Sequence, residues 1–211
     1  IGAVSYQLGV QQNQDSSGED DRVYTLSLSM PLGNRSSLNM QLNHDQHNGD
    51  QMQGSLTGVA GEESELSYGI TATRDTNNEQ GLTSVGGNGS YRSSAAYISG
   101  SASRDSEHQQ QYSVGLRGAL VAHSGGVIAT PDLGDTFAIV EAPAAEGASV
   151  ANKQGNRIDS SGYAIVPYLT PFESNRLDLD PQGMPETVEL ASTSQSVIPD
   201  AGAAIKVTFP T

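Results

Sequence analysis

The sequence predicts an all-β protein, in which an antiparallel up-and-down transmembrane β-barrel segment precedes a small β-sandwich domain. Three observations predict this architecture. Apolar and polar residues alternate with a period of two through residues 3–121, long polar connections alternate with short turns, and proline usage changes after residue 130. Of the nine prolines, Pro31 alone precedes residue 130, and the others lie between residues 131 and 211. This shift predicts that the two parts of the chain meet different solvents.

The alternation gives each predicted strand of the first part an apolar face and a polar face. It yields about eight strands of roughly nine or ten residues, long enough to span a bilayer when a strand is tilted. The apolar residues predicted to face lipid are Tyr24, Leu26, Leu28, Leu38, Met40, Leu66, Tyr68, Ile70 and Leu116. The polar residues predicted to face a lumen are Ser27, Asn39, Gln41, Asn43, Thr71 and Arg117.

The connections between these strands alternate in length. QNQDSSGEDD, HDQHNGDQ, RDTNNEQG and RDSEHQQ are long and polar, whereas PLGNR, AGEES and YRSS are short. In an up-and-down meander every second connection lies on the same side, so all the long loops emerge at one rim. Outer-membrane barrels show this asymmetry, with long extracellular loops and short periplasmic turns.

The polar face indicates a wide interior. It consists mainly of Ser, Thr, Asn, Gln and Gly, whereas Arg22, Arg74 and Arg104 stand at strand ends and Arg117 lies within a strand. Eight strands closed on themselves leave an interior that side chains must fill, and Gly and Ser fill space poorly. We therefore expect one arc of a larger wall, with tyrosines near the strand ends as an aromatic girdle.

Residues after Pro131 predict short strands of about five to seven residues. The segments are DTFAIVEAP, GASVAN, GYAIVPYL, NRLDLD, TVELAS and AAIKVTF, separated by turns that contain Pro and Gly. Short strands at this spacing are typical of a small β-sandwich. Its predicted core residues are Val140, Ile165, Val166, Leu177, Leu190, Ile205 and Phe209.

Composition argues against several classes of function. The formal net charge of −14 is opposite to the basic surfaces that nucleic acids select. The chain has no cysteine, so it has neither a disulfide scaffold nor thiolate chemistry. The sequence contains no run of about 18 apolar residues, so it predicts no transmembrane helix. The opening IGAVSYQLGV lacks a basic region and a cleavage pattern, so we expect the middle of a strand in a longer protein rather than a signal peptide.

No catalytic, cofactor-binding or metal site is predicted. His44 and His47 flank Asp45 near Asp50 and form a weak candidate metal cluster, but histidines among polar loop residues are more often solvated. The many serines include no G-x-S-x-G elbow and no evident Ser–His–Asp set.

Several sequence blocks resemble the outer-membrane fimbrial usher family. They are HSGGV, GDTFA, GYAIVPYLTP, the NRLDLD run and the turn IPDAGA before the last strand. The resemblance covers the whole chain and is strongest from Gly115 to Phe209. It implies a barrel of roughly two dozen strands, near the top of the range for such barrels. Residues 1–133 would be C-terminal strands of that barrel, and residues 134–211 the first periplasmic C-terminal β-sandwich domain.

The resemblance implies transport and assembly rather than catalysis. An usher accepts periplasmic chaperone–pilin subunit complexes and passes fimbrial subunits across the outer membrane. It holds each subunit for strand exchange with the next, which is a form of β-augmentation. The implied location is the outer membrane of a Gram-negative cell, with the C-terminal domain in the periplasm. The implied partners are the chaperone–subunit complexes, the fimbrial subunits and outer-membrane lipid, with no nucleic acid and no cofactor.

Two other functions stay open from the residues alone. A soluble secreted adhesin or stalk with a long polar β-sheet would remain in solution without detergent. A compact eight-stranded membrane barrel with a periplasmic appendage would act structurally, and its complete gene would encode no further barrel strands.

Overall fold

The computed structural model describes residues 3–14, 20–45, 49–76, 81–150, 156–185 and 187–211. All regular elements of these residues are β-strands, which confirms the predicted all-β class. No helix within the described ranges is long and apolar enough to cross a membrane. By its internal contacts the chain divides into two compact units, residues 1–91 with 99–115 and residues 92–98 with 116–211.

Eight long strands form one sheet in sequence order. They are β1 Ser5–Gln14, β2 Asp20–Leu32, β3 Ser36–Asp45, β4 Gly49–Ala60, β5 Leu66–Asp75, β6 Leu82–Arg92, β7 Tyr97–Asp105 and β8 Gln110–Arg117. The glycine-rich β6 and its neighbour β7 are both members of this sheet. Because β1 and β8 are opposite edges of an open sheet, the structure does not support a compact barrel of these eight strands closed on themselves.

In the observed register, polar residues pair with polar residues and apolar residues with apolar residues across neighbouring strands. Ser27 on β2 lies opposite Gln41 on β3, and Gln41 lies opposite Gln53 on β4. One position along, Leu28 lies opposite Met40. A slip of one residue would turn every apolar side chain to the polar face, so the alternation in the sequence fixes this register.

Glycine lets one tyrosine lie flat across the apolar face. Tyr68 on β5 pairs with Gly58 on β4, which pairs with Ser36 on β3. The Tyr68 hydroxyl reaches over the glycine and lies 2.9 Å from Ser36 Oγ. A Cβ atom on Gly58 would lie 2.5 Å from that hydroxyl oxygen, so only glycine accommodates the tyrosine in this position.

Apolar and polar residues alternate through residues 111–120 as in one continuous strand, but the structure ends the strand within this segment. β8 ends at Arg117, and β9 Ala119–His123 and β10 Gly126–Thr130 form a separate hairpin. At Gly118 a Cβ atom would come within 3.2 Å of Ala95 O, because two segments of backbone approach closely there. Apolar residues of the hairpin pack on the next part of the chain, in a cluster of Val121, Ile128, Ile139 and Ile165.

Two three-stranded sheets form the rest of the chain, with orders β13-β11-β16 and β12-β14-β15. The strands are β11 Phe137–Glu141, β12 Ser149–Val150, β13 Tyr163–Val166, β14 Asn175–Asp180, β15 Ser194–Val197 and β16 Ala204–Thr208. β11 is central, antiparallel to β13 and parallel to β16. Both sheets contribute to one core that includes Val140, Val166, Leu177, Leu179, Val207 and Phe209.

Most of the predicted core is confirmed. Val140, Val166, Leu177 and Phe209 are buried in the shared core, and Ile165 is buried beneath the hairpin. Leu190 and Ile205 are partly buried and pack against the shared core.

The predicted strand TVELAS, residues 187–192, is wrong. Residues 188–192 are irregular, and the backbone N–H of Ala191 donates to Pro210 O instead of joining a ladder. The strand at this place is the more polar β15, whose residues pair with β14. Alternation of Val188 and Leu190 resembles a strand because Leu190 does pack against the core, although its segment joins no sheet.

Candidate functional site

The polar face of the eight-stranded sheet is a network of small uncharged side chains. Thr25 Oγ1 donates to Asn43 Oδ1 at 2.9 Å, and Asn43 Nδ2 donates to Gln51 Oε1 at 3.2 Å. Further along, Ser101 and Ser113 hydroxyls lie 2.8 Å apart. Because these groups satisfy one another across strands, the face is polar without presenting a strong charge.

The apolar face of the same sheet is uncovered. Its exposed large side chains are Val4, Tyr6, Leu8, Val10, Tyr24, Leu32, Met40, Met52, Leu66, Ile70, Val85, Tyr91, Ile98, Tyr112, Val114 and Leu116. Exposure reaches 88% at Val114. Soluble monomers rarely expose contiguous apolar patches larger than a few hundred Å². This face therefore requires an apolar partner.

The structure separates the predicted site residues by face. Ser27, Asn39, Gln41, Asn43, Thr71 and Arg117 share the polar face, and Tyr24, Leu26, Leu28, Leu38, Met40, Leu66, Tyr68, Ile70 and Leu116 share the apolar face. Successive strand residues point to opposite faces, and directly paired residues share one. Contact with lipid or with a lumen stays a prediction.

Charged residues on the polar face stand at the two ends of the strands. Asp45, Asp75 and Asp105 end β3, β5 and β7 beside the long loops. Arg92 and Arg117 end β6 and β8 beside the short turns. The polar face thus has carboxylates at one end, arginines at the other, and uncharged groups between them.

Both arginines converge on one aspartate, in an arrangement that we call the rim cluster: Arg92, Tyr97, Arg117 and Asp132. Arg92 Nη2 donates to Asp132 Oδ2 at 2.6 Å, and Arg117 Nη2 lies 3.1 Å from Asp132 Oδ1. The Arg117 guanidinium lies 4.9 Å from the centre of the Tyr97 ring. Only 14% of the Asp132 side chain is exposed, so its charge is held in a largely desolvated position.

Sequence reasoning identified Arg117 but missed its partners. Arg92 and Asp132 are separated by 40 positions, and their contact depends on where two different turns end. No local pattern encodes such a pair.

A second polar network lies on the β13-β11-β16 sheet. Glu141 accepts hydrogen bonds from Tyr163 Oη at 2.9 Å and from Thr208 Oγ1 at 3.0 Å, and Lys206 Nζ lies 2.9 Å from Glu141 Oε2. The Lys206 ammonium, followed by these two hydroxyls, lowers the pKa of Glu141 from its usual 4.5 to about 2. The carboxylate in turn raises the pKa values of Tyr163 and Lys206.

His123 of the hairpin packs beside this network. Its ring lies edge-on to Tyr163 with centroids 4.5 Å apart, and its Nδ1 accepts a hydrogen bond from the backbone N–H of Gly125 at 3.2 Å. The signature block HSGGV therefore forms the tight turn of a hairpin that packs on the small sheet. No catalytic geometry arises there, because His123 meets neither a nucleophile nor a carboxylate directly.

The candidate metal cluster is reduced to one pair. His44 Nδ1 lies 2.6 Å from Asp50 Oδ1, and both side chains are exposed. His47 lies outside the described residues. Within the described ranges, no group of three or more His, Asp or Glu side chains could hold a metal ion.

The family model described as "Outer membrane usher protein" matches residues 1–209, so the chain belongs to the outer membrane usher family. Membership and outer-membrane location, both expected from the sequence blocks, are thereby confirmed. The soluble adhesin or stalk loses its support.

Curated relatives span several bacteria. The chain is 38% identical to the outer membrane usher protein MrkC of Klebsiella pneumoniae, over 100% of this chain and 26% of the relative. It is 35% identical to HifC of Haemophilus influenzae, over 99% of this chain and 24% of the relative. It is 34% identical to LpfC of Salmonella typhimurium, over 100% of this chain and 25% of the relative. The chain thus spans about a quarter of the length of these ushers.

A solved structure shares the fold. It is the E. coli P pilus tip assembly intermediate PapC-PapD-PapK-PapG, determined by cryo-electron microscopy. The TM-score is 0.74 at 16% sequence identity, over 98% of this chain and 25% of the matched chain. The likeness supports the all-β fold class across nearly the whole chain.

Proposed function

We propose that this chain is the part of a fimbrial usher that contributes one arc of the translocation barrel and one periplasmic domain. Residues 1–133 carry C-terminal strands of the barrel, and residues 134–211 form the periplasmic β-sandwich. The hairpin of residues 119–130 is the junction between them. The observation that carries this proposal is the two-faced sheet, with an uncovered apolar face opposite an uncharged polar face.

The apolar face suits hydrocarbon because it exposes aliphatic and tyrosine side chains along whole strands. In lipid, every backbone polar group needs an internal partner, and only a closed barrel supplies this at strand edges. The open edges β1 and β8 are therefore proposed to pair with further strands of a longer usher. Relatives about four times as long as this chain have room for those strands.

The polar face suits a lumen that passes folded protein. Hydroxyl and amide groups that bond to one another, such as Ser67 and Ser90 at 2.7 Å, offer a subunit little net attraction. We propose that chaperone–pilin subunit complexes dock at the periplasmic domains and that the subunit then slides through the lumen. Assembly proceeds by exchange of β-strands between subunits and uses binding energy, so the role needs no catalytic residue or cofactor.

Site-directed labelling tests the proposed orientation; this chain has no cysteine, and any cysteine in the rest of the full-length usher is first replaced by serine. Single variants Ser27→Cys and Gln41→Cys on the polar face are compared with Leu28→Cys and Met40→Cys on the apolar face. In the full-length usher in lipid vesicles, we expect a water-soluble maleimide to label the first pair. A fluorophore on the second pair should be quenched by brominated acyl chains. Equal quenching of both pairs would refute the orientation.

A second measurement tests whether a fimbrial subunit passes along the polar face. A photo-crosslinking residue at position 41 should form adducts with a fimbrial subunit during assembly, whereas one at position 40 should form adducts with lipid. Absence of subunit adducts from position 41 in pilus-producing cells would contradict transport through this face, even if the orientation were correct.

A further inference from the structure

Three arginines and one histidine stand on the apolar face at the long-loop end of the sheet. Arg22 lies near the start of β2, and His44, Arg74 and Arg104 lie at the ends of β3, β5 and β7. All four are exposed. We call them the outer cation band.

At the ends of β3, β5 and β7 a basic residue and the aspartate after it lie on opposite faces. His44, Arg74 and Arg104 are each followed directly by an aspartate, in the sequences HD, RD and RD. Because successive strand residues point to opposite faces, these aspartates lie on the polar face and the basic residues on the apolar face, where Asp50 is paired with His44. The chain has 24 acidic residues and only 10 Lys and Arg, so three arginines on the apolar face at one end are a marked local excess.

The band lies on a line inclined to the strands. Counted along the paired residues, His44, Arg74 and Arg104 are two, four and six positions nearer the short turns than Arg22. The alignment of Arg104 with Val85 follows from the hydrogen bond of Ser106 N to Thr83 O. Between β2 and β7 there are five strand spacings of about 4.8 Å, and six positions of about 3.3 Å lie along the strands. The line is therefore inclined by about 40° from the perpendicular to the strands.

This incline equals the tilt of strands in membrane barrels, about 35–45°. A line at constant depth in the membrane deviates from the perpendicular to tilted strands by that same tilt angle. The four side chains therefore lie at one depth, at the long-loop rim of the sheet, although they are far apart in sequence. Tyr24 on β2 lies two residues below Arg22, toward the middle of the strand, where interfacial aromatic residues are expected.

An apolar groove begins directly below the band. It is lined on the same face by Leu8, Val10, Tyr24, Leu26, Leu42 and Met52, with His44 and Asp50 at its upper end. His44 bonds to Asp50 at 2.6 Å, so the positive charge of the band comes chiefly from its arginines. A groove of this kind accommodates an acyl chain whose head group lies at the level of the arginines.

We infer that the outer cation band binds the phosphate groups of a phosphorylated glycolipid in the outer leaflet, with one acyl chain in the groove. The arginine fork matches phosphate oxygens in two parallel hydrogen bonds. The long-loop rim is the extracellular rim, so the adjoining lipid is that of the outer leaflet. This inference rests on the lipid-facing assignment in the proposed function.

The test compares lipids and variants in the full-length usher in detergent. The lipid probes are lipid A with both phosphates, lipid A with the phosphates removed, and inorganic phosphate alone. The variants are R74Q with R104Q, the charge-preserving R74K with R104K, and R35Q as a control at the short-turn end of the same sheet. Binding is measured as lipid adducts by native mass spectrometry across a titration.

We expect the bisphosphorylated lipid to bind the wild type well above the dephosphorylated lipid, and inorganic phosphate to compete only weakly. R74Q with R104Q should weaken that binding by about 30-fold, since each arginine near an anionic lipid surface contributes about a fivefold factor. R74K with R104K keeps the charge but loses the arginine fork and should bind with an affinity between those of the wild type and the Gln variant, and R35Q should match the wild type.

Equal binding of the two lipids, or an unchanged affinity of R74Q with R104Q, would overturn the inference. Strong competition by inorganic phosphate would show a free-anion site instead. The acyl-chain quenching at Leu28→Cys separates the two proposals: quenching without phosphate discrimination refutes only the lipid site, and absence of quenching refutes the orientation beneath it.

Discussion

Asp132 accepts a hydrogen bond from Arg92 at 2.6 Å and thereby joins the segment after the β9–β10 hairpin to the end of β6. Arg117 at the end of β8 bonds to the other carboxylate oxygen at 3.1 Å. One aspartate thus holds the ends of two strands and the segment between the hairpin and β11. Because Asp132 is largely buried, loss of its charge leaves two guanidinium groups without their shared acceptor.

Asp132→Asn should loosen this connection. We expect the opening free energy of residues 132–136 to fall by about 1–2 kcal/mol, because an amide replaces the charged acceptor of two arginines. Hydrogen exchange of these amides would then accelerate by about tenfold. Arg117→Gln is the matched control: Arg117 is 63% exposed, so its loss should cost less than about 1 kcal/mol. An equal effect of both variants would contradict the central role of Asp132.

Acid should weaken the second unit through Glu141. Its pKa is lowered from 4.5 to about 2 in the folded protein, so the folded state favours the ionised carboxylate. The stabilisation is complete above about pH 4.5 and is lost as the pH falls toward 2. Glu141→Gln should therefore flatten the dependence of unfolding free energy on pH in that range. Urea titrations at several pH values, followed by circular dichroism, measure it.

High pH should also destabilise the second unit, through Lys206 of the same network. The Glu141 carboxylate raises the pKa of Lys206 above its usual 10.5, so its contribution is complete below pH 10.5 and is lost as the pH rises further. Lys206→Met should remove that loss at high pH and also reduce the acid dependence. If Lys206→Met left the acid dependence of the wild type intact, Lys206 would not be the main cause of the low Glu141 pKa.

Phe209 should be essential for the core of the second unit. Its side chain is 1% exposed, and Phe209→Ala removes a large buried ring at an expected cost of about 3–5 kcal/mol. Phe172→Ala makes the same chemical change at a side chain that is 71% exposed, and should cost less than about 1 kcal/mol. Pulse proteolysis in urea compares the two, and similar midpoints would contradict the burial of Phe209.

Gly58 and Tyr68 should be energetically coupled. Gly58→Ala places a methyl group within 2.5 Å of the tyrosine hydroxyl and should destabilise the sheet by about 1–3 kcal/mol. In a Tyr68→Ala background the same change should cost much less, which gives a coupling of about 1 kcal/mol or more. Gly54→Ala, whose Cβ atom meets nothing within 4 Å, is the control. Thermal unfolding of the full-length protein in detergent provides the comparison, and additive effects would exclude the coupling.

The long strands could be predicted because apolar and polar residues alternate within each strand's own sequence. Leu26 and Leu28 on β2, separated by Ser27, assign faces without reference to any other strand. The same argument failed at Gly118, where a close backbone approach ends the strand while the alternation continues. It failed again at β15, whose Ser194 and Gln195 give no apolar signal although β14 lies beside them.

The candidate site likewise has a part that could be predicted from the sequence and a part that could not. Faces of the sheet follow from local alternation, so the polar and apolar surfaces could be predicted residue by residue. The rim cluster could not, because Arg92, Arg117 and Asp132 meet through three separate turns. The inclined line from Arg22 to Arg104 could not be predicted either, since it depends on the register of every strand between them.

The placement of β16 beside β11 has a consequence for how the protein is made. The central strand of the small sheet, Phe137–Glu141, obtains its second neighbour only from Ala204–Thr208, more than sixty residues later. A nascent chain that has emerged as far as β15 still lacks Val207 and Phe209 from its interior. Closure of this domain therefore waits for the synthesis of β16, and premature termination or cleavage before Ala204 would yield a protease-sensitive product.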